Sequence, residues 1–310
     1  MALSAPLLTR KRVIQVKIEA DKGTAETTDF ADVLVFDLEI NPTSPFEERK
    51  GSGLYLGHKE KGILAELSGN CTFSAELRGN GTGAMDAGLS ILLQACGLAN
   101  TAETYQLHST FASFETCTIH VFEDGVKKIL HGCMGNVSFE GVAGGRIMCN
   151  FDFSGIWNAP TDVALPAYTP GTETPPRLAS GTFTLATLSI QISKFGLDLG
   201  NNVVMRADVD GVGGIAYYMI TDYDPVLSID PEADLVAGYD FFGIWLAGTE
   251  AAVSLVLGSG AGKQITFTIP KVQYREIKEA DREGIQIYDI TGQCNHSTGN
   301  DAVAIAVATA

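Results

Sequence analysis

Apolar and polar residues alternate most regularly between Ala65 and Leu77. Odd positions there are Ala65, Leu67, Gly69, Cys71, Phe73, Ala75 and Leu77, and even positions are Glu66, Ser68, Asn70, Thr72, Ser74 and Glu76. Successive side chains of an extended chain point to opposite faces, so the pattern predicts one long strand, packed on one side and wetted on the other. Upstream, Leu34, Phe36, Leu38 and Ile40 share a face and predict another strand. Residues 41–62 between them are charged and broken by Pro and Gly, which predicts a long loop of the kind that often carries function. The period changes in "AMDAGLSILLQACGL", where Leu89, Leu92, Leu93 and Cys96 recur at helical spacing and Gly97 is the expected stop. Asp124-Gly125 predicts a tight hairpin turn, and two further strands follow around 134–140 and 146–154.

The second half replays this plan. "TFTLATLSIQISKF" and "NNVVMRADVDG" read as strands, a short helix is expected at 240–247 after Asp240, and "AAVSLVLGSGAGKQITFTI" reads as a hairpin over a Gly/Ser turn. Local likeness pairs Val137-Ser138-Phe139-Glu140 with Val272-Gln273-Tyr274-Arg275, and Phe151-Asp152-Phe153-Ser154-Gly155 with Tyr288-Asp289-Ile290-Thr291-Gly292. A glycine turn lies between the members of each set. The expected fold class is mainly β: two tandem β-sandwich or barrel-type domains, each with a short flanking α-helix. The expected divisions are an N-terminal arm 1–30, a first domain 31–157, a Pro-rich linker 158–180, a second domain 181–294 and a C-terminal tail 295–310.

Composition narrows the functions open to this chain. It has 310 residues, 45% hydrophobic, with a formal net charge of −16. So acidic a chain lacks the basic footprint needed to grip nucleic acid. No apolar run is long enough to span a membrane, and the basic residues of "MALSAPLLTRKRV" follow the apolar stretch, the reverse of a secretory signal. Six cysteines without a C-x-x-C suggest reduced, buried thiols and folding in a cytoplasm.

Catalytic and ligand motifs fail on inspection. "GSGAGKQ" at 258–264 lacks the first Gly and the terminal Ser/Thr of a phosphate loop, and strands flank it. "DVDGVGG" at 208–214 lacks the third acidic position and the terminal Glu of a calcium loop. No two of His58, His108, His120, His131 and His296 have metal-ligand spacing on a helix, although His120 and His131 have the option of meeting across a hairpin. No cofactor, metal site or catalytic residue is expected, and the chain does not read as an enzyme.

The order of features meets a known pattern. "AELSGNCTFSAELRGNGT" followed by "DAGLSILLQACGL", with "GNNVVMRADVDG" and "PKVQYREIKEADREGIQIYDITG" in the second half, resembles the tail tube proteins of long-tailed bacteriophages over roughly 12–295. The resemblance implies a β-sandwich with a flanking helix whose inner sheets join between subunits into a barrel around a channel. It implies rings that stack into a tube, with a duplicated chain needing three copies where a single-domain chain needs six. Glu66, Ser68, Asn70, Thr72, Ser74 and Glu76, with Arg206, Asp208 and Asp210, are then expected to line the lumen. Pro45, Phe46, Glu47, Glu48, Arg49, Lys50, Tyr55, His58 and Lys59 are expected to contact the next ring. Expected partners are further copies of the chain and the terminator, distal tail and tape measure proteins of a virion tail assembled in a bacterial cytoplasm. Viral DNA is expected to pass without specific binding, and no membrane is involved. Competing readings are a tail terminator or distal tail ring protein, and a glycan-binding or adhesive β-sandwich module.

Overall fold

One plan of strands occurs twice along the chain. The computed structural model describes residues 6–179 and 181–309. The first half holds β1 (Arg12–Ile18), β2 (Ala31–Val33), β3 (Val35–Pro42), β4 (Phe46–Lys50), β5 (Lys59–Leu64), β6 (Ser68–Glu76), α1 (Ala87–Ala95), β7 (Leu98–Thr101), β8 (Thr104–Leu107), β9 (Cys117–Glu123), β10 (Val126–Val142) and β11 (Met148–Asp162). The second holds β12 (Thr182–Leu185), β13 (Leu188–Ser189), β14 (Lys194–Asp198), β15 (Asn201–Ala207), β16 (Ile215–Tyr223), β17 (Val226–Ile229), α2 (Phe241–Ala247), β18 (Ala251–Leu257), β19 (Ile265–Arg282), β20 (Ile285–Asn295) and β21 (Ala304–Val307).

Six antiparallel ladders of the first half recur in the second, while the β7–β8 hairpin and β21 have no counterparts. In the first half β2 pairs β1, β1 pairs β9, β9 pairs β10, β10 pairs β11, β11 pairs β6 and β6 pairs β3. In the second half β13, β12, β18, β19, β20, β17 and β14 follow in the same order. A detached hairpin interrupts each half at the same place: β4–β5 between β3 and β6, and β15–β16 between β14 and β17. The halves meet where the far end of β10 pairs with β14, from Ser138↔Asp198 to Val142↔Lys194. A second bridge is β21, which pairs both β19 and β8. Among the described residues no circuit of ladders closes, so the sheet curls round its core but keeps free edges, β3 among them.

The long hairpin strands pass from one layer of the sandwich to the other through bulges. In β10 the register slips between His131 and Met134, where Gly132 sits at φ +58°. In β19 it slips between Tyr274 and Glu276. An extra residue raises local twist and lets one strand serve both layers. The buried Glu19 secures the first bulge: its carboxylate accepts bonds from the Gly132 and Gly23 amides and the Thr116 and Thr118 hydroxyls at 2.6–2.9 Å. Desolvation raises its pKa above the usual carboxylate value. Between the layers, one continuous hydrophobic core spans both halves. Phe267 of β19 packs against Phe139 of β10 at 5.4 Å and Phe195 of β14 at 5.2 Å.

Both helices start on an aspartate cap. Asp86 accepts from the Gly88 and Leu89 amides, and Asp240 accepts from Gly243 at 2.8 Å. Side-chain capping of this kind satisfies amides that a first turn leaves unpaired. Gly97 follows α1 at φ +83° and Gly248 ends α2 at φ +64°, a conformation that glycine adopts without Cβ strain.

Several expected boundaries change. The expected arm 1–30 contains β1, because Ile14 and Val16 alternate into the core. Residues 1–5 of that arm, Ser180 at the end of the expected linker and Ala310 at the end of the expected tail lie outside the described residues. The linker expected from 158 begins later, since β11 continues to Asp162. The tail expected from 295 contains β21. The expected loop 41–62 is organised by the β4–β5 hairpin. The ladders also revise the match between the halves. Phe153 of β11 and Ile290 of β20 each lie one step from their bulge, which keeps the 151–155 and 288–292 pairing. On β10 and β19, however, Val137 lies opposite Phe151 and Glu279 opposite Tyr288, so Val137 corresponds to Glu279 and not to Val272.

Candidate channel face and inter-subunit surfaces

A single polar face crosses eight strands in the order β3, β6, β11, β10, β14, β17, β20, β19. Register places its residues side by side. Glu39, Thr72, Asp152 and Asn136 form one row, and Ser74, Asn150, Ser138 and Asp198 form another. In the second half Gly196, Ser228, Thr291 and Glu276 continue the face. The alternate residues point the other way and are buried: Cys71, Phe73, Phe151, Phe153, Val137, Phe139, Leu197, Leu227 and Ile290. Full burial of one such aromatic or branched side chain contributes about 1.5–3 kcal/mol of transfer free energy, which holds the opposite row toward water.

Hydrogen bonds knit the polar face across strands. Asn70 donates to Asp152 at 2.5 Å, Ser74 to Asn150 at 2.8 Å, and Asn136 to Asp198 at 2.8 Å across the junction between the halves. Glu76 pairs with Arg146 at 3.1 Å, and that guanidinium lies over the Phe36 ring. At the far end Arg282 reaches Asp230 and Glu232. Exposed carboxylates on the face include Glu39, Glu140, Asp152, Asp198, Glu276 and Asp289, against the exposed amines of Lys194 and Lys278. The surface is hydrophilic with an acidic excess.

The structure brings together only part of the residues named from sequence. Asn70, Thr72, Ser74 and Glu76 lie on this face of β6. Glu66 precedes the strand, and Ser68 is buried, bonded to Thr43 and Ser44. Arg206, Asp208 and Asp210 lie elsewhere. Arg206 belongs to β15, where it donates to the Tyr217 hydroxyl, and Asp208 accepts from the Asp210 amide in the turn that follows. Their hairpin packs on the first half: a Cβ on Gly132 would meet Tyr217, and Phe114, Met134 and Ile220 form a small cluster of their own. The counterpart of β6 is instead β17, which the sequence pattern missed because only four of its residues pair.

Pro45 precedes β4, Phe46, Glu47, Glu48, Arg49 and Lys50 lie along it, Tyr55 and His58 in its turn, and Lys59 on β5. The hairpin projects from the body with Phe46, Leu54, Tyr55, Leu56, Ile63 and Leu64 exposed. Trp245, in an apolar stretch, is 40% exposed beside Phe242 and Leu246 on α2.

Chemistry of other kinds is thin. Among the described residues no cluster of three His, Cys, Asp or Glu side chains can hold a metal. His120 does not meet His131: it stacks on Phe30 at 4.0 Å, while His131 bonds Asn158. Burial raises the thiol pKa of Cys71, Cys96, Cys133, Cys149 and Cys294. The glycine segment at 258–264 is the turn between β18 and β19. Among the described residues no helix is long and apolar enough to cross a membrane.

A family described as phage tail tube protein matches residues 9–294, nearly the whole chain. The chain belongs to the phage tail tube proteins. No curated protein matches it. Membership makes this a structural component of a virion tail that assembles with itself and with other tail proteins. The mainly β architecture with two helices is the scaffold on which that role is built.

Proposed function

We propose that three copies of this tail tube protein close a ring in which the six halves stand in pseudo-sixfold order, and that rings stack into the tube. The observation that carries this reading is the strand-for-strand repetition of the ladder plan in both halves. Each half contributes four strands to one polar face, so a ring of such chains presents a continuous wall. A heterologous interface closes when the rotation between copies returns to its start, and a chain that holds two turns of that rotation needs half as many copies. The acidic face lines the lumen, where it repels the DNA backbone and lets DNA slide without specific binding. Asn70, Thr72, Ser74 and Glu76 lie on this wall, and the exposed hairpin β4–β5 contacts other copies. Terminator, distal tail and tape measure proteins meet the tube at its ends and in its lumen, and assembly takes place in the host cytoplasm.

Electron microscopy of the purified protein tests the proposal. Long tubes with an even axial repeat support it. Single rings that never stack favour a terminator or distal ring role, and particles that remain monomers contradict it.

A further inference from the structure

Leaving aside β7, β8 and β21, which have no counterparts, the repetition breaks at two edges. On β10, the edge that carries β9 goes on to carry β14 from Ser138 to Val142. On β19, the same edge carries β18 as far as Val272, and among the described residues it pairs with no strand from Glu276 to Arg282. On β14, one edge pairs β17 and the other pairs β10. On β3, one edge pairs β6, and among the described residues the other has no ladder, only a bond from the Arg12 guanidinium to the Leu38 carbonyl at 2.8 Å. The two bare edges are the two halves of the junction that the chain already makes once. Beside the bare edge of β3 runs a polar groove of about 910 Å³, walled by Arg12, Glu123 and Lys128 on its far side.

The detached hairpins show the same asymmetry. β15–β16 follows β14 and lies over the first half. Asn201 at its start donates to the carbonyls of Cys96, at the end of α1, and Gly135 of β10. Ile220 seals the cluster with Phe114 and Met134. β4–β5 follows β3 at the same spacing and leaves Phe46, Ile63 and Leu64 exposed, as α2 leaves Phe242, Trp245 and Leu246.

We infer that β3 of one copy pairs with the bare edge of β19 of the next, and that the β4–β5 hairpin of the first lies over α2 of the second. The inference rests on the tube reading and names the surface that joins copies within a ring. The internal junction sets the register. Counting from the two bulges and from the β6 and β17 ladders, Ser138↔Asp198 becomes Ala280↔Thr43, and Glu140↔Gly196 becomes Arg282↔Asn41. Phe46 then takes the place of Asn201, three residues on in both cases. The external ladder lacks one donor, since Pro42 stands where the internal one has Leu197. Glu279 and Asp281 stand where Val137 and Phe139 are buried, and charges on an open edge guard a free chain against indiscriminate pairing. The occupant is a second copy because the strand that fits the equivalent edge of β10 is this chain's own β14, the counterpart of β3.

Two measurements decide it. Hydrogen exchange on the unmodified chain, before and after assembly, reads the amides directly. Slowed exchange of 35–43 and 276–284 by tenfold or more on assembly is expected, and slowing confined to other segments overturns the inference. The double variant Thr43→Cys, Ala280→Cys is oxidised in assembled form and run on a non-reducing gel. Buried native thiols are poor nucleophiles, so the introduced pair reacts first. Covalent dimers and higher oligomers are expected in the double variant and in neither single one. Rings or tubes in micrographs of the same sample without covalent oligomers overturn the edge pairing but leave the tube reading standing. Absence of any ring overturns both.

Discussion

The two halves differ in what covers them. In the first, α1 has Leu89, Leu92 and Leu93 buried, and Ile220 from the second half closes the cluster beside it. The distal part of β10 is paired on both edges. In the second, only Phe241 of α2 is buried, and the distal part of β19 is paired on one edge. One backbone plan therefore carries two surfaces, one finished within the chain and one left for another chain. An interface of the stable subunit kind is a core cut in two, and here the uncut version is visible in the same molecule. Mutations that are costly in the first half are expected to be silent in the isolated second half and to matter on assembly.

The sharpest contrast is at Phe139 and its counterpart Asp281. Phe139 is buried against Phe267, and truncation of such a core ring costs about 3–5 kcal/mol. Urea unfolding of Phe139→Ala is expected to show that loss, while Asp281→Ala shifts the monomer by no more than about 0.5 kcal/mol. Equal losses would dissolve the comparison.

The helix caps make the next test. Asp86 is buried with Arg78, with 3.2 Å between them, and removing one member of a buried pair strands the other charge at about 3–5 kcal/mol. Asp240 is a cap without such a partner, so Asp240→Ala is expected to cost about 1 kcal/mol. Thermal melts of the two variants compare them directly.

The hairpins come third. Ile220→Ala opens the cluster against Phe114 and Met134 and is expected to cost about 2–4 kcal/mol. Leu64→Ala on β4–β5 is expected to leave the monomer unchanged within about 0.5 kcal/mol yet reduce ring yield. Unchanged ring yield would remove this hairpin from the contact.

The smallest effect is pH-dependent and confined to the first half. His120 is buried with Nε2 unpartnered, and desolvation with the Lys127 charge lowers its pKa to about 4. A depressed folded-state pKa means that its contribution to stability is complete above the ordinary value near 6.5 and is lost as pH falls toward 4. Melts of the native chain and His120→Phe should agree in direction at pH 7.5 and diverge at pH 5, with the variant the more stable. Parallel curves would show that His120 does not titrate on unfolding. Glu19 is raised by burial and acts in the opposite sense, but it is common to both proteins and cancels in the difference.

Much of this architecture was legible in local pattern. The alternation at Ser68–Glu76, the Asp86 and Asp240 caps and the stop at Gly97 depend on neighbours within a few residues, and the backbone follows them. What was hidden depends on distant pairing. β1 and β21 have partners far along the chain, so each reads locally as a tail. β17 pairs over four residues and shows no period, while the more regular strand that carries Arg206 belongs to the separate β15–β16 hairpin. Val272 resembles Val137 in sequence because each is a valine two residues before an aromatic. The ladder counterpart, Glu279, is charged and exposed, on a stretch of β19 that pairs along one edge among the described residues.

The central claim is that the chain is a tandem pair, each half filling one place in a ring. Cross-sections of the assembled tube, reconstructed by electron cryomicroscopy without imposed symmetry, test it most directly. Three chains per ring, seen as six similar lobes that alternate in detail, are expected. Six chains in one ring, or a ring in which β3 and β19 of adjacent copies stay apart, would contradict it.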